Sequence, residues 1–300
     1  MIQSNDQVWR RTLARELTRQ AGASVDQIIA FPPALSGNAH RIGITGPPGV
    51  GKSTLISRMA ALRSQKSRRV GILAIDPTSP VSGGSLLGDR VRMDSIADRT
   101  ELFIRSVPSR SYMDGLCPNV LGLLNCFEIA GFDDVILETV GVGQVNYAGR
   151  HLVDTFVLVL APESGDTVQA MKGGILETAD IYVVNKSDLG SGSRLVSELR
   201  SMAGWRSEKG GWTPPVILLS SQDFIACEEL DNAIETHRTT TFTAERVAEL
   251  MRNRQRYQLR SLLRQTLEEI LESSAPELEG QNLKTAHNLV VNQLMGSASM

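Results

Sequence analysis

The chain has 300 residues, 41% hydrophobic and 21% charged, with a formal net charge of −2; this can fill the core of one large domain with attachments and excludes a disordered chain or a global basic field for nucleic acid or an anionic membrane. Its three cysteines, Cys117, Cys126 and Cys227, form no metal-spaced pair and leave an odd thiol, which excludes a disulfide scaffold and predicts a reducing, cytoplasmic location. The longest apolar run lies near Phe156 to Ala161, too short for a bilayer, and no apolar stretch follows Arg10, Arg11 and Arg15, so neither a membrane span nor an export signal is expected.

In chain order, residues 5–20 place Val8, Leu13, Ala14 and Leu17 at helical spacing and stop before Phe31-Pro32-Pro33, which predicts an N-terminal helical arm over residues 1–38. The run Ile42 to Thr45 reads as a buried strand. It leads into Gly46-Pro47-Pro48-Gly49-Val50-Gly51-Lys52-Ser53 and the apolar-periodic stretch Thr54 to Leu62. A triphosphate must be wrapped by backbone N–H groups at a helix N-terminus, and glycines at 46, 49 and 51 let the backbone come close. Lys52 supplies a point charge to the β- and γ-phosphates, Ser53 a hydroxyl to magnesium, and Pro48, Val50 and Thr54 complete the cradle.

Val70 to Ile75, Val135 to Leu137, Thr155 to Leu160, Ile181 to Val184 and Val216 to Leu219 also read as buried strands, alternating with helical patterns. That alternation predicts an α/β fold, a mostly parallel P-loop NTPase sheet flanked by helices over residues 39–238, with ligands at the carboxyl ends of the strands. Asp76 and Glu138 end two strands on that side. Either is a magnesium candidate, directly or through water, or a cap for the loop that follows. Gly141, in Glu-Thr-Val-Gly-Val-Gly-Gln, can present its N–H to a γ-phosphate, which makes this segment a switch. The stretch Ser79 to Met93 can close over the nucleotide, with Asp89 to orient the attacking water and Arg90 or Arg92 to offset developing charge.

Asn185-Lys186-Ser187-Asp188 follows a strand and reads guanine, because the Asp188 carboxylate accepts from the ring N–H and the amino group, a donor pair that adenine lacks. Two charge-assisted bonds of about 1.5–3 kcal/mol each would favour GTP over ATP by roughly 10² to 10⁴. Ser220 and Ser221, after the last strand run, join the nucleotide-binding set. Beyond His237 the pattern changes to a long helix carrying Val247, Leu250, Leu259, Leu262, Leu263, Leu267, Ile270 and Leu271 on one stripe and many arginines elsewhere. Pro276 interrupts it, Leu283 to Leu294 forms a last helix, and the Gly-Ser-Ala-Ser tail is left mobile; residues 239–300 are expected to be a dimerisation segment that makes the protein a homodimer.

Gly-Pro-Pro-Gly-Val-Gly-Lys-Ser-Thr, Ala-Ile-Asp-Pro-Thr-Ser-Pro, Leu-Gly-Asp-Arg-Val-Arg-Met, Phe-Ile-Arg-Ser, Glu-Thr-Val-Gly-Val-Gly-Gln and Val-Val-Asn-Lys-Ser-Asp, in that order, resemble the MeaB/ArgK family of GTPases over residues 41 to about 238. The resemblance implies a GTP-hydrolysing chaperone with GTP/GDP and Mg²⁺ as cofactors. It also implies docking on an adenosylcobalamin-dependent acyl-CoA mutase, methylmalonyl-CoA mutase or a related one, whose cofactor loading, protection and reactivation the chaperone gates. A third switch is implied at Gly165 to Lys172, where Asp166, Gln169 and Lys172 are the residues chosen to couple nucleotide state to the mutase. Val145-Asn146-Tyr147 and Ser111 to Asp114 depart from the family pattern, which leaves a mutase for a branched or hydroxylated acyl-CoA open as the partner.

Three rivals are weighed against this. A nickel-delivering GTPase needs soft or imidazole ligands, and His40, His151, His237 and His287 are not paired at ligand spacing. A kinase of a transport component needs ATP, against Asp188, and a signal-recognition-type targeting GTPase needs a methionine-rich helical domain, whereas the nine methionines are scattered.

Overall fold

A computed structural model describes residues 2–31, 39–77, 100–109, 115–139, 148–162, 174–186, 192–208, 211–220 and 225–297. Seven strands form one sheet: β1 (His40–Thr45), β2 (Val70–Asp76), β3 (Leu102–Pro108), β4 (Asp134–Glu138), β5 (Thr155–Leu160), β6 (Ile181–Val184) and β7 (Val216–Leu218). The order is β3-β2-β4-β1-β5-β6-β7, and every neighbouring pair is parallel. Such a sheet must be covered on both faces, and β1, β2, β4, β5 and β6 are buried along their whole length.

Ten α-helices are present among the described residues: α1 (Ile2–Ala21), α2 (Val25–Ala30), α3 (Lys52–Gln65), α4 (Val120–Ile129), α5 (Ile175–Thr178), α6 (Gly192–Glu208), α7 (Ile225–Thr241), α8 (Ala244–Ser273), α9 (Ala275–Leu278) and α10 (Leu283–Ser297). One core lies where α3 and α7 cover Ile42, Ile44, Ile72 and Val157, and a second where α1 and α4 cover Leu73, Ile75 and Val135. The N-terminal helix is locked to the sheet layers: Trp9 packs edge-on against Phe132, and Asn119 Nδ2 donates to Gln20 Oε1 at 2.8 Å. Its aromatic and amide contacts fix α1 against α4 rather than leaving it extended into solvent.

Charges concentrate at the amino ends of the strands. Arg63, 1% exposed, pairs with Asp134 at 2.8 Å, Asp231 at 2.7 Å and Glu235 at 3.1 Å. Arg41 pairs with Glu128, and Arg254 of α8 pairs with Asp154 at 2.5 Å, which ties the C-terminal helix to the floor of the sheet. Buried ions are tolerated only when paired and hydrogen-bonded, so this network fixes which helix sits on which strand end.

Three features go beyond what was read from the sequence. Strand β3 was not among the predicted strands: it is an edge strand, half-buried along much of its length, carries Arg105 and ends in Pro108, so it lacks the continuous apolar run of the central strands. The short helix α2, closed by a Ser24–Gln27 capping box, falls inside the segment read only as the end of an arm. The last helix runs past Leu294 through Gly296 to Ser297, so half of the tail assigned to mobility is helical.

Candidate functional site

The site is built where β1 leaves the sheet between β4 and β5, the point at which strand order reverses and α/β sheets open a crevice. The phosphate loop is suspended there from its neighbours. Gly46 has φ 145°, and a Cβ on it would stand 2.0 Å from the carbonyl oxygen of Val159 in β5. Gly51 has φ 96°, and a Cβ there would meet Asn185 Nδ2 at 2.5 Å. Positive φ strains any side chain at both positions, and at Gly46 the clash is with backbone, whereas at Gly51 it is with the end of the Asn185 side chain.

Gly51 is also the N-cap of α3 and brings no side chain to the first turn, so the helix N-terminus faces the loop with backbone donors and a favourable dipole for anions. Lys52 opens the helix; its Nζ donates to the carbonyls of Gly46 at 2.8 Å and Pro47 at 2.9 Å, which folds the ammonium back over the loop. Ser53 Oγ donates to Glu138 Oε1 at 2.9 Å. Ile44 and Glu138 are register partners in β1 and β4, and Thr139 Oγ1 donates to Thr45 Oγ1 at 2.9 Å, so the two strand ends are pinned beside each other. Asp76, 2% exposed, ends β2 next to β4 and lies two residues beyond the Ala74–Glu138 register pair.

The Asn185-Lys186 turn is fastened to the same loop. Asn185 N donates to Leu160 O at 2.8 Å, which carries the turn on β5, and Asn185 Nδ2 donates to Val50 O at 2.7 Å. Lys186, in the left-handed region at φ 57°, sends its Nζ to Gly49 O at 2.9 Å. Between this turn, α3 and the end of β7 lies a cleft of about 110 Å³ lined by Gly51, Thr54, Arg58, Asn185, Lys186 and Ser220, with Leu55, Leu219 and Cys227 as its apolar back. Burial, followed by the nearby Asp231 charge, pushes the Cys227 thiol up to about 11, so it enters the cleft wall as a neutral group.

Of the predicted site residues, Gly46, Pro48, Gly49, Val50, Gly51, Lys52, Ser53, Thr54, Asp76, Glu138, Asn185, Lys186 and Ser220 fall on these elements. The structure brings Ser53 and Glu138 together, and joins Val50 and Gly49 to Asn185 and Lys186. Asp89, Arg90, Arg92, Gly141, Asp166, Gln169, Lys172, Asp188 and Ser221, with Ser111 to Asp114 and Val145 to Tyr147, lie outside the described residues. Arg58 and the Thr45–Thr139 pair were not singled out from the sequence. The i, i+4 spacing of Thr54 and Arg58 was the available signal, since it puts both on one helix face.

The histidines do unexpected work at the opposite end of the sheet. His40 Nε2 and His237 Nδ1 each share a hydrogen bond of 2.8 Å with Thr155 Oγ1, while His237 Nε2 lies 3.5 Å from Asp180. Burial first, then the Arg63 charge, holds His40 well below the ordinary imidazole range. Burial pushes the Asp180 carboxyl up, but the His237 hydrogen bond and the Arg150 charge outweigh it and hold the group low. Ligand atoms of His40, Asp134 and Glu235 lie within 4.8 Å of one another, yet the Arg63 guanidinium already pairs with both carboxylates, so the cluster's negative charge is met from within the chain.

A parallel sheet with a glycine-wrapped helix N-terminus at its switch point, and an Asn-Lys turn bonded to that loop, defines a P-loop nucleotide-binding protein of the GTPase type. Residues 12–276 match the family described as methylmalonyl Co-A mutase-associated GTPase MeaB, and the chain belongs to that family. It is 37% identical over 248 residues to a putative GTPase of Pyrococcus horikoshii, covering 82% of this chain and 78% of that one. It is 35% identical over 274 residues to GTPase ArgK of Escherichia coli, covering 87% and 81%. Among solved structures, one titled LAO/AO transport system kinase aligns with TM-score 0.58 at 24% identity, covering 97% of this chain and 94% of that one, a likeness of fold. No helix among the described residues is long and apolar enough to cross a membrane.

Proposed function

We propose that this protein hydrolyses GTP and uses the state of the γ-phosphate to dock on an adenosylcobalamin-dependent acyl-CoA mutase, gating the loading, protection and reactivation of that enzyme's cofactor. The observation that carries the reading is the fastening of the Asn185-Lys186 turn onto the phosphate loop, in a chain of the mutase-associated GTPase family. A base recognised at the turn and phosphates held in the loop then act on one mechanical unit.

Ser53, with Asp76 or Glu138, forms a set of hard oxygen donors that would hold Mg²⁺, and the ion would offset the charge of the phosphates. Lys52 stabilises charge on the transferring group and the first turn of α3 holds the phosphate oxygens. Asp188 reads the guanine, Asp89 orients the attacking water, Arg92 offsets developing charge, and Gly141 reports the γ-phosphate. Asp166, Gln169 and Lys172 pass that report to the mutase. Turnover is slow alone and rises on docking, because a group ordered against the phosphate by a partner is worth about 10³ to 10⁵ in rate.

Residues 239–300 serve dimerisation in this reading. Of the stripe predicted on α8, only Leu250 is buried, while Leu259 and Leu263 are 54% and 61% exposed and Leu267 and Leu271 follow at the same i, i+4 interval. We place the protein in the cytoplasm as a homodimer.

The deciding measurement is GTP turnover of the purified chain with and without a methylmalonyl-CoA mutase or a mutase for a related branched or hydroxylated acyl-CoA. Stimulation by one of them, lost in Lys52→Ala, is the expected result; equal rates with and without every such mutase would defeat the gating role. Asp188→Asn tests the base separately, by shifting preference from guanine toward xanthine nucleotides.

A further inference from the structure

Away from the nucleotide cleft, a groove of about 800 Å³ lies between α1 and the end of α4. Its floor is apolar. Leu13 and Cys126 are buried there, and burial pushes the Cys126 thiol up to about 12, so the floor carries no charge. Val8 on α1 and Ile129 on α4 form the lips, and each is more than half exposed. Trp9 lines one end, and Phe31, with the Arg19 guanidinium 5.9 Å from its ring, lines the other. From Val8 to Arg19 the helix advances about 16 Å, or three turns, which sets the length of the groove.

The chain as a whole carries a formal charge of −2, yet the rim of this groove is basic. Arg11, Arg15 and Arg19 recur at i, i+4, so they form one row along α1 beside the groove, and all three are exposed. Glu16, the single carboxylate among the lining residues, is paired with Arg19 at 2.7 Å. At the Trp9 end the Arg69 guanidinium stands 4.9 Å from the indole ring and donates to the carbonyls of Ala130 at 2.9 Å and Gly131 at 3.1 Å. An apolar trough with arginines along one lip and at one end complements a helix that carries apolar residues at i, i+4 and i+7 with acidic residues beside them. A bilayer surface, flat on this scale, would reach the lips but not the floor.

We propose that the groove between α1 and α4 is a docking surface for an acidic amphipathic helix of a partner protein. The apolar side of that helix fills the trough between Val8 and Ile129, and its carboxylates meet Arg11, Arg15 and Arg69. The inference stands apart from the nucleotide reading, since no residue lining the groove lines the nucleotide cleft.

The test is a selection, against the full chain, from a displayed library of helices about four turns long with leucine anchors at helical spacing and randomised flanking positions. The selected helices are expected to carry Glu or Asp on their flanks and to bind less tightly as salt rises. Val8→Glu and Ile129→Glu, which put a charge on the apolar lips, should each weaken them by about tenfold or more. In the double variant Arg11→Glu/Arg15→Glu the preference should turn toward Lys on the flanks. Thermal melting confirms that each variant is folded, and Val8→Gln and Ile129→Gln stand in where a glutamate variant is not. Selected helices without an acidic bias, affinities unmoved by these variants, or no helix selected at all would overturn the inference. Two other occupants would do the same: phosphatidylserine vesicles that bind the chain through Val8 and Ile129 while no helix competes, which marks a membrane surface, or self-association of the chain lost in the same variants, which marks a second copy.

Discussion

Ser53 Oγ donates to Glu138 Oε1 at 2.9 Å, 85 positions further along the chain, joining the second residue of α3 to the last residue of β4. The carboxylate accepts the hydroxyl hydrogen, which leaves the Oγ lone pairs available to a metal ion. Replacing Glu138 by Gln keeps the shape and removes the charge. Supporting carboxylates of this kind cost about 10- to 100-fold in metal affinity when altered, so Glu138→Gln should raise the Mg²⁺ concentration for half-maximal GTP turnover by roughly that factor. GDP binding in EDTA should change little. A Mg²⁺ titration of turnover decides it; an unaltered dependence in Glu138→Gln would shift the metal-holding role to Asp76.

Asn185→Ala removes the strut between the Asn185-Lys186 turn and the phosphate loop. Val50 O then loses its amide donor at a buried position. Leaving a buried polar group without its partner costs about 1–3 kcal/mol, or roughly 5- to 150-fold in affinity if it falls on the bound state. Lys186→Ala removes an exposed bond to Gly49 O and should cost less. Calorimetric GDP affinities of the two variants should therefore rank Asn185→Ala as the weaker binder; the reverse order would mean that the exposed lysine, not the buried amide, holds the loop.

Most of this site was legible in residues that are neighbours in sequence, because a phosphate loop and an Asn-Lys turn are local devices with local spacing. The central strands were legible for a related reason: burial on both faces forces continuous apolar runs such as Val157 to Leu160. Edge strand β3 escaped because half-burial lets Arg105 and Pro108 into it. The His40–Thr155–His237 chain escaped because its members lie 115 and 82 residues apart, and only the parallel register of β1 and β5 brings the first two together. Arg58 escaped because one arginine on a helix looks like any solvated charge until the cleft is formed around it.

Gly46 and Gly49 separate two reasons for glycine within one loop. At Gly49 φ is 76° and a Cβ would meet nothing within 4 Å, so Gly49→Ala carries only the left-handed backbone cost, about 1–2 kcal/mol. At Gly46 a Cβ would press on the Val159 carbonyl of a buried strand, and the loss should be on the order of 4 kcal/mol. Urea denaturation should show a folded Gly49→Ala and a severely destabilised Gly46→Ala. Equal stability of the two would show that the loop moves off β5 at little cost.

His40 makes stability depend on pH in a window where the carboxylates are silent. Its imidazole is held well below the ordinary range by burial first, then by Arg63, with Arg238, His237 and Arg68 adding to the effect, while Asp134 and Glu235 lie on its other side already paired with Arg63. The folded state therefore resists a proton that the unfolded chain accepts near pH 6.5. Stability from this group is fully present above that pH and is lost as pH falls below it, by up to about 1.4 kcal/mol per pH unit for one proton. Asp180, held below the usual carboxylate range, contributes only where the unfolded carboxyl would titrate, near pH 4. His151 is also lowered, by burial and then by Arg150 and Arg260, and acts in the same window as His40, so the comparison must be made against a variant. His40→Gln retains an amide donor toward Thr155 and does not titrate. Unfolding free energies measured between pH 7.5 and 5 should fall less steeply in His40→Gln than in the wild type, and parallel curves for the two would show that His40 takes up no proton on unfolding.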